Sequence, residues 1–222
     1  MSNYFYNPAD LKKLPNLDGN SMRLIIVHAS AVFDEGRIAK PGIELLMTRV
    51  GKGKGRILEL TRKSCPSYLT HQELVDEGIG EFAHGLDEFI FAGGRIEGCS
   101  HQNFLYLLKK RMITGQHFVT HFPLDAAYGD GAIEKSQVPK IISRYSNVFT
   151  KTSEWQFGHR AESAYDNLDI PAPKTKAEKT LPFRTPLKSI PFVAHYNGKQ
   201  VKSNSKNPFA VLYFWDRLPL IK

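Results

Sequence analysis

The chain has 222 residues and a net charge of +8, with hydrophobic residues at 41% and charged residues at 23%. This length and composition fit a globular protein with a buried core, of one domain or of a domain with a small addition, and exclude a disordered or fibrous chain. No apolar run approaches the roughly 20 residues of a membrane helix, the N-terminus lacks the order of a signal peptide, and two cysteines make no disulfide framework, so we expect a cytoplasmic protein.

Short apolar runs alternate with stripes at helical spacing after a polar lead-in over residues 1–21. Apolar runs of this length predict buried strands, and the stripes predict helices. The predicted strands cover residues 22–28, 56–61, 88–92, 118–122 and a short last stretch at 147–150. The predicted helices begin at Pro41, Thr70, Cys99 and Val138. Alternation of this kind predicts a three-layer α/β/α domain over residues 22–155, with an open, mainly parallel, Rossmann-like sheet.

Residues 156–222 form a predicted C-terminal extension that is rich in β-structure. A Pro- and Lys-rich linker comes first, Asn197-Gly198 then predicts a hairpin turn, and residues 210–215 predict a final strand. The segment carries 11 Lys and Arg against 5 Asp and Glu. Interleaved aromatic and basic residues are typical of single-stranded nucleic-acid binding. We prefer a hairpin that docks on the main domain or on a neighbouring subunit of a homo-oligomer.

The carboxyl ends of parallel strands are where such sheets bind ligands. This rule selects four rim loops, at residues 28–33, 63–67, 93–99 and 123–130. The third loop is glycine-rich and ends at Cys99, at the start of a predicted helix. Backbone N–H groups at such a position stabilise a thiolate and can hold an oxyanion, which suits a cysteine nucleophile.

The pattern around Cys99 resembles that of the isochorismatase-like cysteine hydrolases, which include nicotinamidases. In that family a strand ends in Gly and the nucleophilic Cys follows six residues later, as Cys99 follows Gly93. A helix, Gly115, a strand and the pair Asp125-Ala126 come next in the family's order. Residues 147–154 resemble its final element, so that the resemblance covers about residues 22–155.

The resemblance implies hydrolysis of an amide or related bond in a small molecule by a Cys–Asp–Lys triad. Cys99 matches the nucleophile. Alignment of Phe33 on the family's motif puts His28 where the Asp belongs, either as the base for the thiol or as a core histidine held by a hydrogen bond. Lys63 is the nearest candidate for the Lys. The oxyanion would be held by the N–H groups of Cys99 and Arg95, with a cis peptide between Gly94 and Arg95.

Several features depart from the family. The usual metal-binding loop is missing, and the scattered histidines have no zinc-site spacing, so we expect no metal and no cofactor. The substrate side of the site would consist of Gly94, Arg95, Phe33 and Asp125. Because the triad is incomplete, the alternative is an inactive relative that binds a ligand or serves protein assembly. Glu97 and His101 flank Cys99 and are further candidates for chemistry at the thiol.

Overall fold

The computed structural model describes residues 22–27, 37–50, 57–60, 88–101, 103–105, 107–108, 118–150 and 190–219. Within these residues, seven strands form one mixed sheet: β1 (Arg23–Val27), β2 (Ile57–Leu60), β3 (Glu88–Gly93), β4 (Phe118–Pro123), β5 (Phe192–Tyr196), β6 (Lys199–Ser203) and β7 (Ala210–Trp215). The two α-helices whose bounds are defined are α1 (Lys40–Val50) and α2 (Val138–Thr150). Neither is long and apolar enough to cross a bilayer.

The strand order is β2-β1-β3-β4-β7-β5-β6, and every pair is parallel except the β5–β6 hairpin. The chain passes from β1 to its neighbour β2 and then returns to β3 on the other side of β1. The crevice where the direction of winding reverses therefore lies between the carboxyl ends of β1 and β3. Val27 and Gly93 lie opposite each other there. The mainly parallel α/β sheet is as predicted.

The two faces of the sheet carry separate apolar clusters. Leu24, Ile26 and Ile90 belong to the cluster that contains the buried side of α1. Ile25 and Phe89 belong to the cluster on the other face, which contains α2 and the helical residues that follow Cys99. Alternate residues of a strand point to opposite faces, which explains why these strands are apolar throughout and not at every second position.

The C-terminal strands lie within the same sheet as the strands of residues 22–155. β7 pairs with β4 on one side and with β5 on the other. The Tyr213 ring of β7 stacks on His121 of β4 at 5.0 Å and on His195 of β5 at 4.8 Å. Trp215 donates a buried hydrogen bond from Nε1 to His121 Nδ1 at 3.2 Å. The predicted hairpin at Asn197-Gly198 and the predicted final strand are confirmed.

The predicted last strand at residues 147–150 is wrong, because these residues are the last turn of α2. Tyr145 and Phe149 continue the buried stripe that begins at Ile141 and Ile142. The spacing of three and four residues between these side chains is helical, and it outweighs the β-propensity of Val148 and Thr150. The predicted helix from Thr70 lies outside the described residues.

Candidate active site around Cys99

The turn after β3 requires two consecutive glycines. Gly93 has φ = 69° and Gly94 has φ = 62°, a region that favours glycine. A Cβ on Gly93 would lie 2.4 Å from the Val27 carbonyl oxygen, and one on Gly94 would lie 2.8 Å from Val27 Cγ1. The turn therefore packs directly on the end of β1, in the crevice where the winding reverses.

Cys99 follows in an irregular turn and not in the regular first turn of an α-helix. Residues Ile96–Ser100 form a π-type turn with a kink at Gly98, where φ is −117° and ψ is −106°. The N–H groups of Gly98 and Ser100 both donate to the Arg95 carbonyl, at 3.0 and 3.2 Å. These two donors are used inside the turn, so an oxyanion at this site would depend on other N–H groups.

Three side chains that the sequence analysis did not single out hold this turn in place. The buried Ser100 hydroxyl donates to the Gly93 carbonyl at 2.8 Å, and the Tyr145 hydroxyl of α2 donates to the Ile96 carbonyl at 2.7 Å. Asn103 Nδ2 donates to the Cys99 carbonyl at 2.9 Å. Ser100 and Asn103 lie close to Cys99 in sequence, which was a usable signal, whereas Tyr145 is 49 residues from Ile96.

The Cys99 thiol is not in a disulfide and is partly buried. It packs against the apolar cluster that contains Phe104 and Tyr145. Burial raises the pKa of the Tyr145 hydroxyl well above its usual value, so Tyr145 stays neutral and remains a donor to Ile96. On the side of α2, the turn that carries Cys99 is thus held by the hydrogen bond from the neutral Tyr145 hydroxyl.

The rim loop after β4 joins the Cys99 loop through backbone hydrogen bonds. Ile96 N–H donates to the Tyr128 carbonyl at 2.8 Å, and Tyr128 N–H donates to the Gly94 carbonyl at 3.4 Å. Arg95 and Tyr128 form a parallel β-bridge, which consists of these two hydrogen bonds. The Arg95 N–H takes no part in either bond. The Arg95 guanidinium pairs with the Asp130 carboxylate. The third and fourth of the predicted rim loops are therefore in contact.

Asp125 lies at the end of β4 between α1 and the residues that follow β7. A Cβ on Gly42 of α1 would come within 2.4 Å of the Asp125 carbonyl oxygen. The carboxylate is 3.9 Å from Arg217 Nε. Partial burial raises the pKa of the Asp125 carboxyl, and the charge of Arg217 opposes that rise. These contacts leave Asp125 an exposed acid at the same edge of the sheet as Gly94.

Glu97 and His101, the further candidates beside Cys99, are both engaged elsewhere. Glu97 Oε1 lies 3.5 Å from Lys140 Nζ of α2. The His101 ring is buried and meets the Tyr145 ring edge-on at 4.7 Å. Burial lowers the pKa of His101 to about 3, with a further contribution from Arg144. A group with that pKa is a very weak base at neutral pH, so His101 does not suit the role of general base.

His28, Lys63 and Phe33 lie outside the described residues. The cis peptide that the resemblance implies is not found, because the Gly94–Arg95 bond is trans. Gly93 and Gly94 reverse the chain through their positive φ angles instead. Within the part of the chain that the structure describes, no three His, Cys, Asp or Glu side chains are grouped so that they could hold a metal ion.

Comparisons of this chain with protein-family models, with curated proteins and with solved structures found no match. The resemblance to the isochorismatase-like hydrolases therefore depends on the spacing from Gly93 to Cys99 and on the order of the elements around it.

Proposed function

We propose that the chain is an isochorismatase-like hydrolase that cleaves an amide or related bond of a small molecule, with Cys99 as nucleophile. The observation that carries this proposal is the position of Cys99, which follows the Gly93–Gly94 turn at the crevice between the ends of β1 and β3. Open α/β sheets bind ligands at such a reversal point. We also propose that the fold has the three-layer α/β/α arrangement predicted from the sequence, with the sheet between two layers of helices.

The reaction would begin with transfer of the thiol proton to a base and attack of the thiolate on the carbonyl carbon. The C–S bond forms as the C=O electron pair moves to oxygen. The oxyanion would accept a hydrogen bond from the Arg95 N–H, which the ladder to Tyr128 leaves unused. The C–N bond then breaks, the amine leaves with the proton, and water hydrolyses the thioester to an acid and the free thiol.

We propose His28 and Lys63 as the partners of Cys99, because His28 aligns with the family's Asp and Lys63 is the nearest lysine to the position of the family's Lys. A histidine is a suitable base for a thiol near neutral pH. Phe33 and Asp125 would line the substrate side. No cofactor takes part in the proposed steps.

A second candidate function is ligand binding or protein assembly without catalysis. The observation that favours it is the state of the two ionisable neighbours of Cys99. Glu97 is paired with Lys140, and His101 is buried with a pKa of about 3. If neither His28 nor Lys63 reaches the thiol, the site keeps its crevice and its rigid turn but loses the means to activate the nucleophile.

Thiol alkylation separates the two candidates. We expect Cys99 to react with iodoacetamide at pH 7 about tenfold faster than free glutathione, because an activated cysteine is largely thiolate at that pH and an ordinary thiol is thiolate only to a few per cent. The experiment uses the Cys65→Ser variant, so that mass spectrometry follows Cys99 alone. His28→Ala and Lys63→Ala, each in that background, are expected to lower the rate.

The matched control is Cys99→Ser in the same background, which has no thiol and measures any alkylation at other side chains. A rate for Cys99 no higher than that of glutathione, with no effect of His28→Ala or Lys63→Ala, would remove the case for hydrolysis and leave the binding role.

A further inference from the structure

The last strand of the sheet, β6, contributes almost nothing to the core. Four of its five residues are exposed, and Val201 is exposed to 48%. It pairs with β5 on one side, and no described strand pairs with its outer edge. Such an edge has unpaired N–H and C=O groups that can template another strand.

Polar contacts fix β6 firmly at both ends, although burial does not hold it. At the turn, Asn197 Nδ2 donates to Asp216 Oδ2 at 3.0 Å, and the Tyr196 hydroxyl donates to Asp216 Oδ1. At the far end, Phe192 N–H donates to Asn204 Oδ1 at 2.8 Å, and Asn204 Nδ2 donates to the Ile190 carbonyl at 2.9 Å. The outer edge is therefore held in an extended conformation before any partner arrives.

The charge on this strand is of one sign. Residues 199–207 contain Lys199, Lys202 and Lys206 and no acidic residue. Lysine on an edge strand opposes pairing with another basic strand, including a second copy of β6, because like charges would face each other. The same charges favour a strand that carries glutamate or aspartate.

We propose that the outer edge of β6 is a docking site for an extended acidic peptide segment of a partner protein, which adds to the sheet as a further strand. Backbone hydrogen bonds hold the segment, and its carboxylates pair with Lys199 and Lys202. Val201 offers an apolar contact. In a two-residue hairpin the pair Tyr196–Lys199 closes the turn, so the alternation next to the turn directs the Gln200 N–H outward. The register shifts by one residue beyond Gln200, where Val201 is the extra residue between the pairs His195–Gln200 and Ala194–Lys202.

The test uses the full chain and three ten-residue peptides, which alternate valine or threonine with glutamate, glutamine or lysine. We expect the glutamate peptide to bind, with fluorescence anisotropy as readout, and the other two to bind at least about tenfold more weakly. Binding weakens as salt is raised. Gln200→Pro removes the outward N–H and reduces affinity about tenfold, whereas Gln200→Ala keeps it.

The charge-reversed variant Lys199→Glu/Lys202→Glu keeps the test decisive if Gln200→Pro does not fold. This variant is expected to bind the lysine peptide and to reject the glutamate peptide. Equal binding of the glutamate and glutamine peptides to the natural chain overturns the proposal. So does a single-stranded oligonucleotide that binds more tightly than the glutamate peptide and is insensitive to Gln200→Pro. Neither outcome depends on whether Cys99 is a nucleophile.

Discussion

At the scale of single residues, the close approach of Gly94 to Val27 predicts that a larger side chain at position 94 destabilises the fold. Gly94→Ala places a methyl group 2.8 Å from both Val27 Cγ1 and Ser100 Oγ, at φ = 62°. We expect the free energy of unfolding in urea to fall by about 2 to 4 kcal/mol, from the left-handed conformation and from crowding. Gly131→Ala is the matched control, because a Cβ there has no neighbour within 4 Å. Equal effects of the two substitutions would contradict the packing of this turn.

His101 makes a prediction about acid stability. Its pKa is about 3 in the folded chain, against 6.5 for an unperturbed histidine. Below pH 6.5 the unfolded chain binds the proton and the folded chain does not, so the free energy of unfolding falls as the pH drops towards 3. The slope from this group approaches about 1.4 kcal/mol per pH unit.

His101→Phe removes the proton-binding group and keeps a ring beside Tyr145. The stability of this variant, measured by urea unfolding between pH 3 and 7, should fall less steeply than that of the natural chain. Burial also lowers the pKa of His195, so part of the slope remains in the variant. An unchanged slope would show that His101 accepts a proton in the folded state.

The position of Cys99 was predictable because its signal is local. A strand that ends in glycine, a six-residue spacing and a following apolar stripe are all visible in the sequence. The residues that hold the turn were not predictable to the same degree. Tyr145 reaches Ile96 only through the packing of α2 against the sheet, and the burial of His101 is a property of the same contact.

At the scale of elements, two substitutions at the turn of the β5–β6 hairpin distinguish the contribution of its backbone conformation to stability from that of its side-chain hydrogen bonds. Asn197 has φ = 47° and exchanges two hydrogen bonds with Asp216. Asn197→Gly loses these bonds and keeps the conformation, at a cost of about 0.5 to 1 kcal/mol. Asn197→Ala also has to adopt a positive φ, at a further cost of about 1 to 2 kcal/mol. Urea unfolding measures both, and equal costs would mean that the turn has changed type.

The elements themselves were mostly visible in the sequence, since β1, β3 and β7 are short and almost entirely apolar runs. The error at residues 147–150 came from judging β-branched residues by propensity, when Tyr145 and Phe149 continued a helical stripe. The place of β7 could not be predicted. Its run of residues resembles any buried strand, and nothing local indicates that it lies between β4 and β5.

At the scale of the whole molecule, the position of β7 predicts how the chain responds when it is divided. A fragment of residues 1–155 leaves the β4 edge without the partner that pairs with it from Phe118 to Pro123. We expect this fragment alone to lack cooperative thermal unfolding by far-UV circular dichroism. Addition of a fragment of residues 156–222 should restore it. The uncut chain is the control, and cooperative unfolding of residues 1–155 alone would show that they form an independent domain.

The interior position of β7 also has a consequence for how the protein is made. β7 is the last of the described strands to leave the ribosome, yet it fills the gap between β4 and β5. Trp215 and His121, which tie the two strands together, are 94 residues apart. During synthesis the β4 edge therefore remains unpaired while the intervening residues are translated, and unpaired strand edges are prone to aggregation. This sheet is completed from its interior after translation has passed Trp215, so chaperone demand should be highest in that interval.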